Sequence, residues 1–131
     1  MNPLSVIRLY RYYLASGIGR RNARLLTWSR VTGQAKPLIL ESPSGSIRVR
    51  PQSTDMLMAR DVLWREEYAF HFKKQPKLIV DAGANTGSAS IYFHLRFPGA
   101  KIIAIELDPG NYKMLCANLL DLPVHTIQQA L

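Results

Sequence analysis

The chain has a single cysteine, Cys116, so it can form no internal disulfide, and a reducing, cytoplasmic setting is expected. Cys116 lies among Met114, Leu115, Ala117 and Leu119, the surroundings of a small core residue. No apolar run approaches the ~20 residues that a bilayer-crossing helix needs. Arg8, Arg11, Arg20, Arg21 and Arg24 interrupt the apolar runs near the start, and no small-residue cleavage site follows one, which argues against a secretory leader. The Gly-Lys-Ser/Thr triplet of a P-loop is missing. No metal is expected, because His71, His94 and His125 show no metal-ligand spacing. Acidic residues are absent from the first 36 positions, which carry seven cations: Arg8, Arg11, Arg20, Arg21, Arg24, Arg30 and Lys36.

The net charge of +8 therefore belongs to the N-terminal segment, since the rest of the chain holds ten basic and nine acidic residues. An evenly basic chain would suggest nucleic acid; this one does not. A basic end suggests an attachment surface, or a leader that is only solvated. The 131 residues, 47% of them apolar, suffice for one modest domain.

Residues 3–16 place Leu4, Ile7 and Leu14 near one helical face bordered by Arg8 and Arg11, with Gly17 as a stop. Residues 18–31 suit a second short basic helix. Two readings stay open: a weak contact with a membrane surface or partner, or helices packed on the protein's own body. Residues 36–45, broken by Pro37, Pro43 and Gly45, read as a linker or hairpin arm. A division follows, with a basic helical leader and linker over 1–45 and a ligand-binding domain over 46–131. Residues 46–50 alternate as a strand, and Thr54 is placed to cap a helix containing Leu57, Met58, Val62 and Leu63. Trp64, Tyr68, Phe70 and Phe72 follow, and Pro76 closes the region.

Strands are then expected at 77–80, 101–106 and 124–128, with helices at 88–97 and 111–120. Strand–helix alternation with short loops implies parallel pairing and right-handed crossovers. The continuously apolar strands predict a sheet covered on both faces. The fold class is thus α/β, a Rossmann-like unit of three parallel strands with crossover helices, preceded by a basic helical segment. A full fold of this type continues past its third strand, so the unit is expected to be incomplete, with LIVD an apolar open edge. Two readings follow: a truncated product or fragment, or one half that needs a complementing chain or an oligomer.

The decisive stretch is LIVDAGANTG (78–87). In a doubly wound sheet, ligands sit beyond the carboxyl ends of the strands, so this turn faces the pocket. Gly83 and Gly87 let backbone approach a ligand, and the N–H groups opening the next helix suit an anionic end. Asp81, at the strand's tip, opposes a pyrophosphate and welcomes an ammonium group. Glu106, ending the second strand nineteen positions beyond Gly87, can accept from both ribose hydroxyls. A ligand with an amino-acid end and a ribose satisfies both acids, and S-adenosylmethionine has both.

DAGANTGSASIYF (81–93), FPGAKIIAIELDPGNYKMLCAN (97–118), HTIQQAL (125–131) and the upstream RPQSTDMLMARDVLWREEYAF (50–70) resemble the FkbM-type S-adenosylmethionine-dependent methyltransferases. The resemblance covers residues 47–131, about two-thirds of the chain. Leu107 departs from the pattern, where many members have proline. The resemblance implies that Asp81, Gly83, Ala84, Asn85 and Gly87 line the methionine end of the cofactor and that Glu106 holds the ribose. It also implies O-methylation of a hydroxyl on a sugar or other small molecule. Asn85 has a second reading, as a cap for the helix that follows. By the same resemblance Trp64 and Tyr68 cover cofactor or acceptor; packing on the sheet is the other reading. No catalytic base is assigned. Two alternatives remain: half of an NAD-dependent oxidoreductase, which Asp81 and Asn85 oppose, and a non-catalytic remnant that binds a partner chain.

Overall fold

The computed structural model describes residues 1–130; Leu131, the last residue of the expected 46–131 domain, lies outside the described residues. The contacts divide the chain into two compact units, Met1–Trp64 and Arg65–Leu131. The division expected at residue 45 falls instead at the start of a strand inside the first unit.

In the first unit, α1 (Pro3–Ala15) and α2 (Arg20–Thr32) form a helical hairpin. Asn2 caps α1, its side chain accepting from Ser5 N–H at 2.8 Å, and Pro3 occupies the first turn, where no N–H is needed. Gly33, at φ 71°, closes α2 in the left-handed region. The 36–45 stretch resolves into a hairpin arm, with β1 (Leu38–Ser42) antiparallel to β2 (Gly45–Val49). Alternation buries Leu38 and Leu40 opposite Val49 and Ile47.

Asn22, 3% exposed, joins helix to hairpin. Its Nδ2 donates to Ile18 O at 2.8 Å and Glu41 O at 2.7 Å, and its Oδ1 accepts from Glu41 N–H at 3.2 Å. One side-chain amide thus serves the backbone of β1 as a neighbouring strand would.

The helix α3 (Asp55–Leu63) starts where expected, but Thr54 does not cap it. Thr54 has ψ 0°, not the extended backbone that aims a capping hydroxyl back at the first turn, and it makes no side-chain cap bond. Asp55 holds this corner instead: the Arg50 guanidinium donates to both carboxylate oxygens at 2.8 Å, and Arg50 N–H donates to Oδ2 at 2.9 Å. Burial pushes the Asp55 carboxyl up, but these bonds and Ser53 outweigh it and hold the group below its ordinary range.

The second unit contains a parallel sheet in the order β3 (Leu78–Ala82), β4 (Lys101–Ile105), β5 (Val124–Ile127). The crossovers are α4 (Ser88–Arg96) and α5 (Pro109–Leu119). Asp108 opens α5 by accepting from Asn111 N–H at 2.7 Å, with Pro109 in the first turn. This starts the helix two residues earlier than its apolar pattern predicts.

The expectation of two covered faces is overturned. Register aligns Asp81 with Ala104 and Ala104 with Thr126, so these three share one face. Ser90 of α4 reaches Asp81 there, and Tyr112 and Cys116 of α5 reach Thr126. Two right-handed crossovers running the same way place both helices on that face. The other face carries Leu78 and Val80, 55% and 53% exposed, beside half-buried Ile103 and Ile105. Among the described residues no helix is long and apolar enough to cross a membrane.

Candidate functional site

The glycine turn follows β3 and is stitched to the tip of β4. Gly83, Asn85 and Gly87 have φ of 76°, 51° and 94°, three left-handed residues within five positions. This path folds the chain tightly: Gly83 N–H and Ala84 N–H both donate to Ile105 O, at 2.9 and 2.8 Å, and Gly87 N–H donates to Ala84 O at 2.8 Å. Asn85 accepts the left-handed geometry more readily than most residues with a Cβ.

Glu106 is the anchor. It is 9% exposed, so it is not a surface acid. Asn85 N–H donates to its Oε2 at 2.8 Å and Asp108 N–H donates to its Oε1 at 2.9 Å. Its own N–H donates to Ile127 O, at 3.1 Å, at the end of β5. A carboxylate has about four acceptor positions, so two remain for a ligand. Glu106 also walls a cavity of about 250 Å3 with Gly83, Ile105, Leu107, Gln129 and Ala130.

Asp81 stands apart from that wall and turns toward α4, where Ser90 Oγ donates to its Oδ2 at 2.6 Å. Burial raises its pKa above the ordinary value of 3.8, and the charge of Glu106 raises it further against the opposing Ser90 bond. Tyr68, whose ring lies 5.4 Å from that of Phe93, is also near enough for Asp81 to act on it. Burial first, then Glu67 and Asp81, push its hydroxyl up.

The expected residues thus divide by role. Gly83 and Glu106 wall the cavity, and Asn85 joins them through its backbone. The N–H of Ala84 is used on Ile105 O of β4, and that of Gly87 on Ala84 O within the turn. Gly87 also brings the chain against α5, where an added Cβ would stand 3.0 Å from Leu115 Cδ1. Asn85 does not cap α4: Gly87 is the cap residue, and the helix has no side-chain cap. The first-turn N–H groups of α4 therefore remain uncapped by any side chain.

Other polar residues here carry no sequence motif. Ser90 is one. Asn118 Nδ2 donates to Thr86 O at 2.8 Å, fixing the turn from α5. Thr86, 1% exposed, keeps a buried hydroxyl oxygen with no partner among the described residues. Gln129 and Ala130 enter the cavity wall from beyond β5. Only the crossover topology brings such distant positions together. His71 and His125 are exposed and His94 is half-buried, and the described residues contain no cluster of His, Cys, Asp and Glu able to hold a metal ion.

The Asp81 environment sets a pH dependence. With its folded pKa above the unfolded value, Asp81 supports folding fully below the unfolded pKa, and that contribution is lost as pH rises through the folded pKa. Asp81→Asn keeps an acceptor for Ser90 and removes the charge. Its melting temperature is expected to exceed wild type at neutral pH and to match it in acid. Thermal melts across the acid range check this, and a lower value than wild type at neutral pH would contradict it.

No family model matches the chain. Over 41 residues, 31% of this chain and 16% of the other, it is 51% identical to Methyltransferase sdnD from Sordaria araneosa. In structure it is similar to PH0793 from Pyrococcus horikoshii, a protein provisionally described as a transferase, with TM-score 0.53 and 17% identity. That match covers 79% of this chain and 45% of the other. Each match therefore covers less than half of the other protein's length. The structural likeness concerns the fold alone: a mixed α/β arrangement compatible with Rossmann-like transferases. The sequence match adds a short methyltransferase-like relationship.

Proposed function

We propose that the second unit is the S-adenosylmethionine-binding part of a Rossmann-like methyltransferase that acts on a hydroxyl of a sugar or other small molecule. The observation that carries this reading is Glu106: a buried carboxylate at the tip of β4, pinned by two backbone N–H groups, with acceptor capacity left over at a cavity wall. Such a group suits a ribose diol, because its orientation is set before the ligand arrives. The sdnD match and the FkbM-type resemblance of residues 81–93 and 97–118 point the same way.

When bound, the cofactor supplies an electrophilic methyl on a sulfonium. Glu106 would hold the ribose, and the negative field of Asp81 would favour the ammonium end. The turn from Gly83 to Gly87 would fix the methionine end. The reaction forms a bond from acceptor oxygen to methyl carbon and breaks the carbon–sulfur bond, and the acceptor's proton passes to a base. These residues serve chiefly by alignment, which is where catalysis of an in-line displacement gains most.

Titration calorimetry on the full chain, with S-adenosylmethionine and NAD in parallel, separates the readings. Saturable heat with S-adenosylmethionine and none with NAD is expected. Binding of NAD alone would restore the oxidoreductase reading, and binding of neither would leave a non-catalytic interaction module.

A further inference from the structure

The helical hairpin of the first unit has a feature that the transferase reading does not use. Between α1 and α2 runs an apolar groove of about 440 Å3, walled by Ile7, Tyr10, Trp28 and Val31, with Arg24 on its border. Ile7 and Trp28 are 53% and 55% exposed, and Leu4, one turn before Ile7, is 67% exposed. Spacings of four, four and three put Arg20, Arg24, Trp28 and Val31 on one face of α2. On α1, Arg11 lies between Ile7 and Leu14 in the same way. Arg8, Arg11, Arg20 and Arg24 are exposed and form no ion pair among the described residues.

We propose that this face docks on an anionic lipid surface. The charge is of one sign, with no acidic residue before position 37 to favour a partner of mixed charge. Trp28 and Tyr10 are the amphipathic rings that settle at the boundary between headgroups and acyl chains. The arginines lie beside the apolar side chains on both helices, so their heads can meet lipid phosphates while the groove enters the interface. Each helix has 13 residues, too short to span, so the arrangement lies on the surface. An acidic protein would satisfy the charge, but it would give Trp28 no apolar layer to enter.

The test uses the full chain with Trp64→Phe, which leaves Trp28 as its tryptophan. Phosphatidylcholine vesicles with and without ~30% phosphatidylglycerol provide the two surfaces. Co-sedimentation with the anionic vesicles alone, a blue shift of Trp28 emission, and loss of both at ~0.5 M salt are expected. Arg11→Glu with Arg24→Glu should weaken partitioning at least ~20-fold, from about fivefold per lost charge. Ile7→Ser with Trp28→Ser, both at exposed positions, should weaken it while leaving the circular dichroism unchanged. Equal binding to neutral vesicles, or no binding, would overturn the proposal. Binding to polyglutamate as tight as to vesicles, with no shift of Trp28, would overturn it in favour of an acidic protein.

Discussion

Glu106→Ala is expected to lower affinity for S-adenosylmethionine by at least ~100-fold. Two ribose hydroxyls donating to a carboxylate are worth about 1.5–3 kcal/mol each, and ~3 kcal/mol in total is already two decades. The wild-type carboxylate is also held in place by Asn85 N–H and Asp108 N–H, at 2.8 and 2.9 Å. Alanine therefore removes the ligand contact and frees the donors that shape the turn. Glu106→Gln separates these effects: its carbonyl oxygen can keep one donor, so the fold should survive while affinity falls ~10-fold from loss of charge assistance. Calorimetry gives the affinities, and circular dichroism reports the fold. Wild-type affinity in a folded Glu106→Ala would end the ribose assignment.

The second large effect is expected at Gly87. An alanine there must adopt φ 94° and bring its Cβ to 3.0 Å from Leu115 Cδ1 and 3.4 Å from two atoms of Leu119. Left-handed backbone costs about 1–2 kcal/mol for a residue with a Cβ, and overpacking a tight contact adds about 1–3 kcal/mol. Leu115 is fully buried, so it has little room to yield. Gly87→Ala should lose ~3 kcal/mol, which for a unit this small is a fall of more than ~10 °C in melting temperature. Gly83 is the control. Its φ is 76°, but an added Cβ meets nothing within 4 Å, so Gly83→Ala should show the backbone cost alone. Urea unfolding of both variants checks the order, and equal losses would show that the Leu115 contact carries no weight.

The elements readable in the sequence were those written in local chemistry. The glycine turn, the acid ending β4 and the alternation of strand and helix follow from residue type and spacing, and the structure places them within a residue or two. Caps were less legible. Thr54 has the right residue type, but its backbone is not extended and its hydroxyl makes no cap bond, whereas Asp108 lies just outside the apolar pattern and does cap. Least legible were polar groups paired across the fold. No sequence motif marks Asn22, yet β1 makes it a buried backbone partner. Ser90 reads as a small residue in the first turn of α4, yet it faces Asp81. The exposure of Leu78 and Val80 depends on where the crossover helices land, and the apolar run LIV cannot show that.

Asp81 and Glu106 lie near enough for one charge to raise the other's proton affinity. A negative field of that kind discriminates by valence as well as by shape. Under the proposed chemistry, the methyl leaves a positively charged sulfur and the sulfur becomes neutral. The spent ligand then feels one less unit of attraction than the fresh one, and the difference favours turnover over product retention. The electrostatic repulsion within the empty protein would thus act as an exchange bias, which a neutral pair at these positions would not provide.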